Sequence, residues 1–379
     1  MTADAAPQEP VKAPIGWRQV VRSLGQRKVL VMLLLGFSSG LPFLLTGNTL
    51  GFWLREGGAD LATIGFLSWI GIAYSIKYLW SPLVDRLDAP ILGRLGRRRG
   101  WMLLSQLLIG AGLFGMAAVG PEGANLWKLG CFALLAAFAS ATQDIVVDAW
   151  RIESADGGAE QGLLSAAYQT GYRAAMLATD SLILLLAAGI GWQASYGVAG
   201  AVMGIGVAAT LLGCEPLRNG PPGAGASAPL WRVEGLVDAI IGPFVAFLRA
   251  HGALSVLILM VVATFRLGDF MIGPMVNPFY VDLGLTKEVV GTVRASVGLW
   301  ASIAGIALGG LASVRLGFRK TLILGAVLGP FSNLAFSVMA LSGPDIGVFT
   351  AAIIVDNVST GFAGVALTAY MSSLTSLGY

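Results

Sequence analysis

"VLVMLLLGFSSGLPFLLTGNTLGFW", residues 29–53, carries no ionisable side chain. An α-helix rises about 1.5 Å per residue and the hydrocarbon core of a bilayer is about 30 Å thick, so about twenty apolar residues are enough to cross it. The stretch reads as a membrane-spanning helix. Lys12, Arg18, Arg22, Arg27 and Lys28 precede it, and no small-residue cleavage site lies nearby, so it does not read as a cleaved signal peptide. Working outward, nine further stretches qualify: 61–84, 101–120, 126–148, 162–190, 194–213, 253–280, 288–312, 321–341 and 346–372. Backbone amides find no water in lipid, so each of these must be helical. The expected class is an all-α polytopic membrane protein.

Composition agrees. Of 379 residues, 56% are hydrophobic and 12% charged, with a mean hydropathy of +0.76. Glycine, at 52 residues, suits close helix contact in lipid. Two cysteines, Cys131 and Cys214, and one histidine, His251, leave no material for a disulfide framework or a histidine-based metal centre. There is no Gly-rich phosphate loop, nucleophile elbow or metal-ligand cluster, so no cofactor is expected and energy would come from an ion gradient.

The net charge of +3 says less than its placement. Arg86, Arg94, Arg97, Arg98 and Arg99 cluster in the second loop, and Arg315, Arg319 and Lys320 in the eighth. The odd loops carry few or no positive charges. The positive-inside rule then puts the N-terminus and the even loops in the cytoplasm. The chain divides into a tail (1–28), six spans (29–213), a connection (214–252) and four spans (253–379). The connection opens as a Pro/Gly/Ala/Ser linker, "CEPLRNGPPGAGASAPL", and continues as an amphipathic stretch, "WRVEGLVDAIIGPFVAFLRAHG". "SPLVDRLDAPILGRLGRRRG" after the second span and "GGLASVRLGFRKT" after the eighth form a weak repeat. Repeated six-span halves are the architecture of major facilitator transporters, which leads one to expect two further spans beyond the tenth.

Charge in hydrocarbon costs about 2.5–3.5 kcal/mol or more per residue, so each intramembrane charge is a functional candidate. Asp144 and Asp148 stand on one face of the fourth span and are candidates for proton coupling; a salt bridge to Arg151 or to a basic loop is the plainer reading. Gln143 beside them either meets a polar substrate or bridges helices. Arg173 is placed near mid-depth of the fifth span, with Gln169 and Tyr172 at neighbouring helical positions. Its planar fork suits a carboxylate or phosphate, and an internal Arg173–Asp180 pair is the alternative. Arg266 and Asp269 lie three apart and either neutralise each other or border a site; Asp180 and Asp269 join Asp144 and Asp148 as proton-coupling candidates. Gly268, Gly273, Pro274 and Pro278 are expected to break that span, with Asn277 satisfying a freed backbone group or binding cargo. Lys77 is a candidate substrate contact, with snorkelling toward the cytoplasm the favoured alternative. Arg294 is placed nearer the outer side, half wet, while Asp356 and Asn357 sit well inside the tenth span. Trp53, Trp69, Tyr74, Trp80 and Trp300 either stack on sugar rings or, more commonly, anchor and pack. Asp85, Arg86, Arg97, Arg98 and Arg99 are expected to act as a cytoplasmic latch meeting helix ends and lipid headgroups, not nucleic acid.

Several stretches carry a resemblance. "LGFSSGLPFLLTGNTLGFWL", "IKYLWSPLVDR", "GRRRGW", "SATQDIVVDAWR", "GYRAAM" and "FRLGDF" are similar to the AmpG-type muropeptide permeases of the major facilitator superfamily. The resemblance implies a proton-coupled importer of the bacterial inner membrane, acting as a monomer on peptidoglycan turnover products, anhydro-muramyl sugars with or without stem peptides. On that pattern Lys77, Gln143, Asp144, Asp148, Arg173 and Asp269 match the family, Asp180 departs from it, and Arg266 and Asp356 match loosely. "ATQDIVVD" also resembles acetyl-coenzyme A transporters, which makes a carrier of that ester or a related anionic metabolite the second expectation. A membrane protein that senses muropeptide without moving it is the third. An enzyme acting on lipid-linked sugars is disfavoured, because catalytic motifs are missing.

Overall fold

The computed structural model describes residues 26–375, apart from 122–124, 157, most of 217–253, and 266. The N-terminal tail and nearly all of the expected interfacial helix over 231–252 lie outside the described residues. What is described is helical, and apolar segments stand where the hydropathy places them. In chain order they are α1 (Arg27–Glu56), α2 (Leu61–Ser75), α3 (Arg97–Val119), α4 (Leu126–Glu153), α5 (Leu163–Ile190), α6 (Trp192–Leu212), α7 (Leu254–Phe265), α8 (Leu267–Asp282), α9 (Lys287–Ser313), α10 (Phe318–Ser342) and α11 (Ile346–Thr368). Eight of these are long and apolar enough to cross a membrane, and α2, α7 and α8 are shorter.

Two spans differ from expectation. The second is interrupted: 3-10 turns at Trp69–Gly71 and Lys77–Leu79 split it before it resumes as Ser81–Arg86. The break expected from Pro274 and Pro278 is absent, and both prolines sit inside α8. Each removes one backbone donor, which neighbouring helices tolerate when they close over the freed carbonyl. The carbonyl of Pro274, freed by Pro278, faces Gly51 of α1, lying 3.6 Å from where a β-carbon there would stand.

Helices cannot be driven together in lipid by hiding apolar surface from water, so contact depends on close van der Waals fit. The α1–α5 pair achieves this through glycine. A β-carbon on Gly171 would lie 1.9 Å from the Leu33 carbonyl oxygen, and one on Gly36 would lie 2.2 Å from that of Tyr168. The same device joins α3 to α4 at Gly112 and α9 to α11 at Gly305. Apolar side chains left on the outside, such as Trp69, Trp300 and Leu341, face what would be acyl chain or interface.

Helices α1–α6 form one set and α7–α11 a second. The ion pairs and hydrogen bonds described between them run from mid-depth to the end away from the Arg97–Arg99 cluster. Arg55 Nε donates to Asp282 Oδ1 at 2.6 Å, Lys287 Nζ to Glu56 Oε1 at 2.9 Å, and Arg294 to Asp180 Oδ1 at 2.8 Å. The packing of α8 on α1 and α2, and of α9 on the latter part of α5, lies on the same side. The sets therefore close on each other at one end, and their opposite faces carry the candidate site.

Candidate functional site

The first feature is a polar interior within the amino-terminal set. Asp144 is only 7% exposed in α4, and its Oδ2 lies 3.4 Å from Lys77 Nζ, which reaches it from the 3-10 turn after α2. Gln143, fully buried, donates its amide to Ser38 Oγ at 2.9 Å and Ser39 Oγ at 3.2 Å in α1. Ser140, Gln143 and Asp144 recur at helical spacing and share a face. The Ser140 hydroxyl, Gln143 Oε1, Asp144 Oδ1 and the Tyr74 hydroxyl are buried without a well-aligned hydrogen bond, although the Tyr74 hydroxyl lies near those of Ser140 and Thr46 and Asp144 near that of Ser39. One oxygen of Asp144 thus meets a cation, while the other is open to a proton or a donor.

The second feature is a face of α5. Its Leu164, Tyr168, Gly171 and Ala175 side is buried against α1 and the neighbouring helices. Gln169, Arg173 and Asp180 fall on the opposite side, spaced by four and seven residues. Asp180 fixes where that side looks, because it bonds Arg294 of the other set. Gln169 and Arg173 are exposed, and no ion pair to Arg173 is described. Arg173 stands about 10 Å along the axis from Asp180, toward the Arg97–Arg99 end, where the two sets are not joined by described polar contacts.

The third feature lies between the sets. The Arg294 side chain is 11% exposed. Its fork donates to Asp180 Oδ1 and to Asn277 Oδ1, both at 2.8 Å, and lies over the Tyr280 ring at 5.2 Å. Asn277 in turn donates to the Asn48 carbonyl of α1.

The fourth is the basic cluster. Gly96, at φ 107°, turns the chain into α3 so that the backbone N–H groups of Arg98 and Arg99 donate to the Glu215 carboxylate at 2.8 and 3.0 Å. A carboxylate at a helix N-terminus satisfies groups the helix itself leaves unbonded. The Arg98 guanidinium, 5% exposed, bridges Asp85 at 2.7 Å and Glu153 at 2.5 Å, and Arg97 also reaches Glu153 at 3.2 Å. The cluster pins the loop after the second span to the ends of α4 and α6.

A buried carboxylate–lysine pair, an exposed guanidinium on the α5 face turned toward the other set and a pinned basic loop describe a carrier more than an enzyme, and comparison with known proteins agrees. The family model described as Major Facilitator Superfamily matches residues 32–378. The anhydromuropeptide permease of Escherichia coli K12 is 34% identical over 94% of this chain and 70% of its own length. A putative transporter of Rickettsia conorii, AmpG 4, is 32% identical over 91% of this chain and 82% of its own. This chain belongs to the major facilitator superfamily, among the AmpG-type permeases. In fold it is similar to a solved structure of the nucleoside transporter NupG, with a TM-score of 0.65 at 14% identity, covering 91% of this chain and 83% of that one. It is a multi-pass membrane transporter.

Set against this transporter's geometry, several residue assignments change. Of the two readings for Gln143 and Asn277, the structural one holds here over cargo contact: both are buried, Gln143 bridging to α1 and Asn277 donating to the Asn48 backbone carbonyl. Lys77 does not snorkel, because Asp144 lies within its reach and offers a better partner than the interface. Tyr172 is half-buried where its backbone packs on Gly40, with its ring 5.9 Å from that of Tyr168. Asp148 is drawn off by Arg151 one turn on, at 3.0 Å. Asp180 pairs with Arg294, not with Arg173, because α5 aims it at α9. Arg294 is accordingly drier than its sequence position suggests. Trp53 packs on Trp192 and Tyr196, and Trp80 donates to Thr142 and stacks on Phe138. Arg266 lies outside the described residues, as do the side chains of Arg86 and Asp269. Sequence reasoning missed Glu153 and Glu215 as partners of the basic cluster, and the pairs of Arg55 with Asp282 and of Glu56 with Lys287. Nothing in the local sequence links residues so far apart.

Proposed function

We propose that this chain imports anhydromuropeptides across the bacterial inner membrane by alternating access, driven by protons and acting as a monomer, with the Arg97–Arg99 end in the cytoplasm. The observation that carries the reading is Arg173: a guanidinium exposed on the face that α5 turns toward the other set, without a described ion pair. Such a fork binds a carboxylate bidentately, and a muropeptide carries carboxylates, amides and sugar faces. Gln169, one turn away on the same side, adds an amide. The anhydromuropeptide permease of E. coli, 34% identical over most of this chain, supports the cargo class.

Asp144 is the preferred coupling carboxylate. It is buried, shares one oxygen with Lys77 and leaves the other open. Proton binding biases the two states only if it is stronger in one of them, and entry of water to Asp144 in one state and not the other supplies such a difference. The Asp85–Arg98–Glu153 group holds the cytoplasmic loop rigid while the sets rock.

The test is uptake of labelled anhydromuropeptide into vesicles under an imposed pH gradient. Arg173→Ala is expected to abolish uptake while membrane insertion stays intact, and Arg173→Lys to recover only part of it. Near-normal uptake by Arg173→Ala removes Arg173 from the site. Acetyl-coenzyme A as competitor separates the cargo classes: if it is accumulated and the muropeptide is not, the cargo assignment is wrong.

A further inference from the structure

The charge pairs in this molecule divide by whether they lie within one helix set or between the two. Relative movement of the sets leaves Lys77–Asp144 and Arg98–Glu153 intact, since both partners belong to α1–α6 and its loops. Among the described residues three pairs join the sets: Arg55–Asp282, Glu56–Lys287 and Asp180–Arg294. The first two sit at helix ends and have half-exposed carboxylates, where an ion pair is screened and contributes little. The third lies deeper, and its cation is the driest of the three.

Its setting is also unusual. Asp180 lies in a π-helical turn of α5, Ala178–Leu182, and Arg294 opens a π-helical turn of α9, Arg294–Gly298. Such turns are rare and concentrate at functional positions, because an extra residue in the turn re-aims side chains. Here the two face each other across the seam. Close approach continues just beyond them, where a β-carbon on Gly291 would lie 3.0 Å from the Ser181 carbonyl oxygen and 3.2 Å from Leu184 Cβ. Through Asn277 the pair is tied to α8 and to the Asn48 carbonyl of α1, so one guanidinium links α9 to α5, α8 and α1.

We propose that Asp180 and Arg294 are the inner clasp of the transport path, the paired charges whose separation opens the molecule at the end away from the Arg97–Arg99 cluster. This rests on transport by alternating access but not on the identity of the cargo. Breaking the clasp strands two charges unless water enters between them, so the closed end stays shut until both are hydrated together. Neutralising Asp180 leaves Arg294, 11% exposed, alone in the seam, which favours the open, wetted state; neutralising Arg294 leaves Asp180, already 33% exposed, and does so less strongly.

The experiment reads opening without any substrate. Cys131 and Cys214, both exposed, are replaced by serine, and Leu184→Cys, buried in the seam against Gly291, reports solvent entry. The full chain is reconstituted in vesicles and labelled with a membrane-impermeant maleimide from the side away from the basic cluster. Asp180→Asn is expected to raise the labelling rate about tenfold or more, because it strands the nearly dry Arg294, and Arg294→Gln to raise it less, because Asp180 is a third exposed. The double variant, which strands none, is expected to label no faster than either single, and Arg294→Lys to stay close to the parent. Parent-like rates in both single variants overturn the clasp, as does a double variant in which the two increases multiply. If Arg294→Gln does not insert, Asp180→Asn against the double variant decides the same question. Loss of uptake with unchanged labelling counts against the clasp and leaves the cargo assignment standing.

Discussion

Gly171→Ala is the substitution that most directly tests how α5 is held. The added methyl would lie 1.9 Å from the Leu33 carbonyl oxygen, 2.8 Å from the Phe37 nitrogen and 2.9 Å from the Leu33 carbonyl carbon. All three are backbone atoms of α1, so no rotamer change relieves the overlap. Restoring an ordinary contact of about 3.4 Å requires the helices to part by about 1.5 Å, and dispersion contact falls away steeply over such a gap. The neighbouring contacts at Gly36 and Gly40 open with it, since they lie on the same seam. Overpacking costs about 1–3 kcal/mol, and a backbone-on-backbone clash belongs at the top of that range, about 3 kcal/mol. Lipid does not offset the loss as water would between soluble helices. The assay is unfolding of the purified protein by titration with SDS, with Gly189→Ala as control. Gly189 has nothing within 4 Å, so an alanine there is expected to be neutral or to stabilise by up to about 1 kcal/mol. Uptake should fall further than folding does in Gly171→Ala, because Arg173 is two residues away and moves with the helix. If Gly171→Ala stays within about 0.5 kcal/mol of the parent, the α1–α5 seam is not the close contact described here.

Three further outcomes are expected. Asp144→Asn should keep exchange of labelled for unlabelled cargo but lose accumulation against a gradient; accumulation that survives makes Asp144 a structural partner of Lys77 only. Asp148→Asn should leave accumulation unchanged, because Asp148 is half-exposed and already paired to Arg151, and a loss comparable to that of Asp144→Asn would contradict this. Glu153→Gln removes a carboxylate from Arg97 and Arg98 while Asp85 remains. It should cost about 1–2 kcal/mol in the same SDS titration, below the 3–5 kcal/mol of a fully buried broken pair because Glu153 is partly wet. Unchanged stability would leave the basic cluster without a holding role.

Spans, fold class and the polar inventory were legible because hydropathy and insertion cost act on each segment alone. The 29–53 run needs no partner to be recognised as a helix in lipid. Partnership was not legible. Asp180 is seven residues from Arg173 and 114 from Arg294, yet it bonds the latter, since which helix α5 faces is decided by packing. Sequence spacing gives the angle between two side chains on one helix and says nothing about what stands opposite. The prolines of α8 failed as break signals for a related reason: the local rule counts the lost donor, while the neighbour that closes over the freed carbonyl is distant in sequence. For Gln143 and Asn277 sequence shows that an intramembrane amide demands a partner but leaves open cargo or another helix; the partner is another helix.

That distinction between demand and partner bears on mechanism. Every charge in the bilayer must be compensated in each state the transporter visits. Lys77 and Asp144 remain together through any rigid movement of the two sets, so their contact alone creates no preference for one state; a proton on Asp144 acts only if the sets also flex internally or if water reaches the open oxygen in one state and not the other. Asp180 and Arg294 compensate each other here, across the seam between the sets, and on the clasp proposal only while the far end is closed. Arg173 lacks a described charge partner in this state. On the proposed reading these arrangements divide the labour: Lys77–Asp144 serves the energy coupling, Asp180–Arg294 the closure, and Arg173, with no described ion pair, an anionic cargo. Swapping the roles would not work: a guanidinium already satisfied by its own helix set gains little from cargo, and a clasp confined to one set would have nothing to release.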